Sequence, residues 1–186
     1  MSDTLYADAV GLLSGWAATS EEADVARKRT LELLGDGPAA LTRAHRAGHV
    51  TASTMIVGAD GRVLLCLHGR LKLWMQLGGH CEPGDATLAK AALREATEES
   101  GLAGLLLDPV PIDVDIHPVR CSPDDGGPAA PSVHYDVRFV AFAPAGAVAR
   151  ISDESAALAW FAPNALPAPL ADGVAQQIAP AFARLS

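Results

Sequence analysis

The sequence predicts an α+β fold, preceded by a helical extension. Three observations carry this. Apolar residues recur at three- and four-residue spacing through residues 4 to 46, the mark of amphipathic helices. From Val50 onward the texture changes to short apolar or alternating runs divided by turn residues. One long helical stretch, 86 to 100, interrupts those strands, so strands and helices do not alternate as they would in a regular parallel sheet.

The elements follow in order. Leu5, Ala9, Leu12, Leu13 and Trp16 share one face of a first helix. Thr19 with Glu22 three residues later has the form of a capping box and opens a second helix, which Gly35 ends. Pro38 after Gly37 suits the first turn of a short third helix. Thr51 to Val57 and Val63 to Leu67 flank the turn cluster Gly58-Ala59-Asp60-Gly61, which predicts a β-hairpin. Residues 86 to 100 are rich in Ala, Leu, Arg and Glu, with Asp85 in the capping position and Gly101 just past the end. Val110, Ile112, Val114 and Ile116 alternate with Asp113, Asp115 and His117, giving a strand with one apolar and one polar face. His134, Asp136 and Arg138 interleave with Tyr135, Val137 and Phe139 in the same way, across a loop that begins at Ser122. Leu158 to Phe161 read as a last strand and Val174 to Leu185 as a closing helix.

At 186 residues, with 49% hydrophobic residues, the chain has the material for one core and is too short for two full domains. We expect a helical extension over residues 1–47 packed on a catalytic-sized domain over 48–186. Fourteen Lys and Arg against 22 Asp and Glu give a formal charge of -8, which disfavours a nucleic-acid polymer as partner. Any phosphate ligand then requires a mediating cation. Asp3 near the N-terminus and the lack of an apolar run of roughly 18 residues lead us to expect a soluble, cytoplasmic protein without membrane contact. Cys66, Cys81 and Cys121 are odd in number and widely spaced, which argues against a disulfide framework and against a structural zinc site.

The most informative stretch runs from Gly78-Gly79-His80 through Arg94-Glu95-Ala96-Thr97-Glu98-Glu99-Ser100-Gly101-Leu102. On a helix, Glu95, Glu98 and Glu99 stand at i, i+3 and i+4, so three like charges crowd one face. A solvated helix face explains a bare Glu-x-x-Glu-Glu well enough. A divalent cation turns the same repulsion into a ligand set, and hard oxygen donors suit Mg²⁺ or Mn²⁺ rather than zinc.

The double glycine upstream and the glycine stop downstream decide between these readings. Together they resemble the signature of the Nudix hydrolases: Gly, five residues, Glu, seven residues, then Arg-Glu, a hydrophobic residue, any residue, Glu-Glu, any residue, Gly and a hydrophobic residue. Residues 94 to 102 fit the second half at every position. Upstream, Asp85 replaces the first Glu, and eight residues rather than seven separate it from Arg94. The resemblance extends from about Val50 to the C-terminus. It implies an α/β/α sandwich with a mixed sheet, metal ligands at Glu95, Glu98, Glu99 and the Gly78 carbonyl, and Arg94 orienting a carboxylate.

The activity it implies is Mg²⁺-dependent hydrolysis of a diphosphate linkage in a small nucleoside-diphosphate derivative, with a metal-activated water as nucleophile and Glu98 and Arg94 in the catalytic set. A general base outside the helix is expected at Glu154, with Asp153 in reserve, in the acidic loop before Ala159-Trp160-Phe161. His80, His134, Asp136 and Arg138 are expected to line the substrate pocket, although cross-strand pairing of Arg138 with Asp113 or Asp115 accounts for some of them without function. Trp74 and Cys66 read as packing residues. Two other readings compete: a Nudix-fold module that binds or senses a nucleotide without hydrolysis, and a Nudix-related isomerase of isoprenoid diphosphates, whose cysteine context is not matched here. The family often dimerises, so a homodimer belongs among the expectations.

Overall fold

The computed structural model describes residues 2–45, 47–122, 128–152 and 155–185. Two helices open it: α1, Asp3–Gly15, and α2, Glu21–Leu34, followed by a 3-10 turn at Pro38–Leu41. Leu5, Ala9 and Leu13 are the buried stripe of α1. The cap of α2 is Ser20, whose hydroxyl accepts from the Ala23 amide. Thr19, which the capping-box spacing favoured, instead donates to the Ile112 carbonyl. A tertiary acceptor has won over a local one. Gly35 does close α2, in right-handed conformation, and Gly37 takes the left-handed turn before Pro38.

Seven strands form one mixed sheet: β1 His49–Val57, β2 Val63–His68, β3 Trp74–Met75, β4 Leu77–His80, β5 Leu106–Cys121, β6 Ala130–Phe142 and β7 Ser155–Phe161. The order is β3-β2-β1-β6-β5, with β4 also pairing β1 and β7 pairing β2. The expected hairpin is β1–β2, in register at Val57 and Val63. β6 lies parallel to β1, which sets His49 beside His134 and Thr51 beside Asp136. β5 and β6 pair antiparallel as a long arm across the loop that was read between them.

The alternation of β5 is less simple than its sequence. The register shifts between Asp108 and Asp113. As a result Ile112 packs with Met55, Val140 and Val174, whereas Val114 packs with Val50, Val137 and Phe139 on the opposite side, and Val110 is exposed. A bulge exchanges the faces of a strand, which a strict period of two cannot anticipate.

Helix α3, Leu88–Ser100, covers one face of the sheet, with Leu88, Ala92 and Ala96 buried; the short α4, Ile178–Phe182, lies against the other. The closing helix is therefore broken, with 3-10 turns on either side of α4. α1 and α2 share the core cluster of α3: Leu5, Leu13 and Leu34 are grouped with Leu88, Val137 and Phe139. Asp8 of α1 also accepts a hydrogen bond from the Leu88 amide, 2.8 Å away, at the first turn of α3. No helix among the described residues is long and apolar enough to cross a membrane.

Candidate active site

The local chemistry of α3 places the glutamates. Thr87 caps it, accepting from the Lys90 amide, and Gly101 ends it with φ 63°, a left-handed conformation that glycine tolerates best. Asp85 was expected at the cap. It lies two residues earlier and is buried, accepting from the Glu82 amide at 2.7 Å and from Arg94 through both Nε and Nη2. The residue that separates Asp85 from the family spacing is thus absorbed in the loop before Thr87, and the carboxylate still reaches its arginine. The upstream half of the signature is one residue longer without losing this contact.

Arg94 is the hub. Its Nη1 donates to Glu95 at 2.9 Å and to Glu98 at 3.1 Å, and its Nη2 donates to the His80 carbonyl at 2.9 Å. Glu82 is a looser neighbour at 3.7 Å. Partial burial works against the charge on Arg94, but Asp85 and Glu95 outweigh it and hold the guanidinium more firmly protonated than in water. A fork so placed fixes the rotamers of two helix carboxylates and the path of the loop together.

The third glutamate addresses the same loop from below: Glu99 accepts from the Gly78 amide at 2.9 Å. Gly78 is the more constrained of the two glycines there. Gly78 has φ 155°, and a side chain on it would run into Ser53; a Cβ on Gly79 would lie 2.8 Å from the Glu95 carboxylate. Glu99 and Glu95 therefore meet the double glycine, while Glu98 is held by Arg94 and is the most exposed of the three at 60%. Three carboxylates on one face, next to a close-approaching backbone, fit a hard divalent cation by donor type.

The residues expected to line a pocket separate into two groups. Arg138, 3% exposed, donates to Asp113 at 2.9 Å, Asp115 at 2.8 Å and Asp136 at 3.2 Å. Burial disfavours its charge, but the three aspartates raise its proton affinity. One cation faces three acids, of which Asp136 is buried, and partial burial pushes the Asp113 carboxyl above its usual range in spite of Arg138. Burial also opposes ionisation of Asp115, yet the hydrogen bond with His117 and the charge of Arg138 keep it below the usual range. Asp136 additionally accepts from Thr51 at 3.0 Å and Ser53 at 2.7 Å. The cross-strand pairing that the sequence raised as an alternative is present in full.

His80 and His134 go elsewhere, to a group with His49 and Cys121 at the ends of β1, β4, β5 and β6. Sequence reading missed His49 and Cys121, because only the parallel register of β1 and β6 and the reach of β5 bring them in. Trp74 packs edge-on against Phe161, ring centroids 4.9 Å apart. Cys66 is buried, and burial pushes its thiol up to about 12; Cys81 is likewise buried and pushed up to about 12. Neither has the character of an activated nucleophile. Glu154 and Asp153 lie outside the described residues.

Comparison with known proteins agrees with this geometry. No curated protein sequence is a match. Among solved structures, a Nudix-family hydrolase from Clostridium perfringens superposes with a TM-score of 0.55 at 24% identity, over 75% of this chain and 99% of that one. The Nudix domain of Shewanella oneidensis NrtR, complexed with ADP ribose, gives 0.52 at 19%, over 77% and 92%. An Ap4A hydrolase from Caenorhabditis elegans gives 0.51 at 17%, over 73% and 96%. These likenesses are of fold. The model of the NUDIX domain matches residues 47–185, the stretch that holds the sheet, the double glycine and the glutamate helix, and the chain belongs to the Nudix family.

Proposed function

We propose that the chain is a Mg²⁺-dependent pyrophosphohydrolase acting on a diphosphate linkage in a small nucleoside-diphosphate derivative, with Mn²⁺ as a substitute ion. The observation that carries the reading is the grouping of the three helix glutamates, Glu95 and Glu99 against Gly78-Gly79 and Glu95 and Glu98 on the Arg94 fork. Glu95, Glu98, Glu99 and the Gly78 carbonyl are the proposed cation ligands. A divalent cation held there supplies charge neutralisation on the diphosphate and makes a water acidic enough to serve as nucleophile.

The chain's own residues do the rest. Arg94 holds Glu95 and Glu98 in place and is itself fixed by Asp85, so those carboxylates would be presented to a bound cation. Glu154 is the proposed general base, on its position before β7. Asp136 and Arg138 stiffen the polar wall beside Ser53 rather than grip a ligand, since their hydrogen bonds are directed at one another and at neighbouring strands. Residues 1–47 form an extension packed on the Nudix domain, and a cytoplasmic setting is part of the same reading. The diphosphate substrate is a small nucleotide or phosphorylated metabolite rather than a nucleic-acid polymer, because a chain of charge -8 attracts polyanions only through a cation. A homodimer is proposed on family habit.

The test is a hydrolysis screen over nucleotide sugars, dinucleoside polyphosphates, ADP-ribose and nucleoside triphosphates, with Mg²⁺, with Mn²⁺ and with EDTA. Divalent-dependent phosphate or nucleotide release that disappears in Glu98→Gln is the expected result. Tight cation-dependent nucleotide binding without turnover would replace hydrolysis with sensing.

A further inference from the structure

We infer that His49, His80, His134 and Cys121 form a second metal site, a closed zinc site separate from the glutamate helix. One ligand atom from each lies within 4.8 Å of all the others. The three imidazoles pack with ring centroids 4.9 to 5.1 Å apart. The Cys121 sulfur sits 3.2 Å from His80 Nε2 and 3.9 Å from His49 Nε2. A tetrahedral zinc with bonds of about 2.0–2.1 Å to nitrogen and 2.3 Å to sulfur sets N···S separations near 3.6 Å, and these two Cys121 separations bracket that value within about 0.4 Å.

The fold builds this arrangement from rigid parts. His49 and His134 are register partners on parallel strands, and His80 pairs across from Thr51. Cys121 ends β5, four residues beyond His117, which itself lies opposite His134. Each ligand thus comes from a different strand, and these strands are joined in a row, β4 to β1, β1 to β6 and β6 to β5. His134 Nε2 is buried without a hydrogen-bond partner among the described residues, an arrangement that costs free energy unless a ligand is bound.

Neutral imidazole is the metal-binding form. Three nitrogens and one sulfur select zinc over magnesium, whereas the glutamates select the reverse, so the two sites sort their ions by donor type. Four protein ligands leave no open position, which makes this a structural centre. It braces the loop that bears the active-site glycines, because the His80 carbonyl accepts from Arg94.

The inference stands independently of hydrolysis, and its test reads metal rather than turnover. Full-length, tag-free protein is purified, dialysed and assayed for zinc by elemental analysis, then exchanged with Co²⁺. Stoichiometric zinc, a thiolate-to-cobalt charge-transfer band and strong visible bands of a tetrahedral ion are expected. Cys121→Ser should abolish the charge-transfer band and weaken zinc binding more than about 100-fold, beyond what loss of an outer-sphere partner costs. His49→Asn should remove the tetrahedral spectrum while Cys121 remains, and Glu98→Gln should leave zinc content and spectrum unchanged. Wild-type protein that holds no zinc and gains no thermal stability from added Zn²⁺ would overturn the inference. So would zinc that is lost in Glu98→Gln and kept in Cys121→Ser, which would assign the ion to the glutamates.

Discussion

Arg94 and Arg138 each hydrogen-bond to three carboxylates, yet they do opposite things. Arg138 is sealed at 3% exposure, and its aspartates sit on β5 and β6, already tied to His117, Thr51 and Ser53. Arg94 is 20% exposed, and its partner Glu98 is 60% exposed at the helix surface. The first arginine is sealed and joins strands. In the second set Asp85 and Glu95 are largely covered, and Glu98 faces water, where a carboxylate can leave its arginine for another cation at little desolvation cost. The same ionic chemistry becomes structure or site according to what surrounds it.

Substitutions at the two hubs should therefore fail in different currencies. Glu98→Gln is expected to lower divalent-dependent hydrolysis about 10³-fold, equivalent to about 4 kcal/mol in the barrier. Its thermal midpoint should stay near that of the parent; a large drop would place Glu98 among the structural acids. Arg138→Met should do the reverse, strand three acids and lower unfolding free energy by about 3–5 kcal/mol, read from urea denaturation. If it unfolds no more easily, the buried cluster does not hold the arm. Asp85→Asn sharpens the contrast, because it weakens the grip on Arg94 without touching the glutamates. We expect about a 10–100-fold loss of activity with a modest change in KM, as for other residues that orient ligand side chains. The smallest effect should come from Thr87→Ala, about 1 kcal/mol of stability from the lost cap of α3, measured by thermal or urea melts.

The glutamate helix was legible because its chemistry is local: three acids at helical spacing, a glycine stop and a double glycine upstream all lie within one stretch of chain. The hairpin at Gly58-Ala59-Asp60-Gly61 and the β5–β6 pair were legible for the same reason, through turn residues and alternation. What the sequence did not disclose depends on contacts between distant segments. Ser20 rather than Thr19 caps α2 because Ile112 offers Thr19 a carbonyl. The two-residue β3 and the four-residue β4 are too short to show a period, and the exchange of faces between Ile112 and Val114 needs the bulge. Cys121 looked remote from every metal pattern because its histidines are 41 and 72 residues away in sequence, and sheet register alone closes that gap.

The hydrogen bond from the Leu88 amide to Asp8 gives the family boundary a physical meaning of its own. Asp8 lies before residue 47, where the match to the family model begins, yet its carboxylate meets the positive end of the helix that carries the glutamates. A chain trimmed to 47–185 would keep every residue that shared ancestry recognises. It would also lose that acceptor and uncover Val50, Leu88, Val137 and Phe139, now packed beneath α1 and α2. Ancestry and cooperativity thus draw different outlines on this molecule. In hydrogen exchange, the amides at the start of α3 should open together with α1, as one unit that spans the point where homology stops.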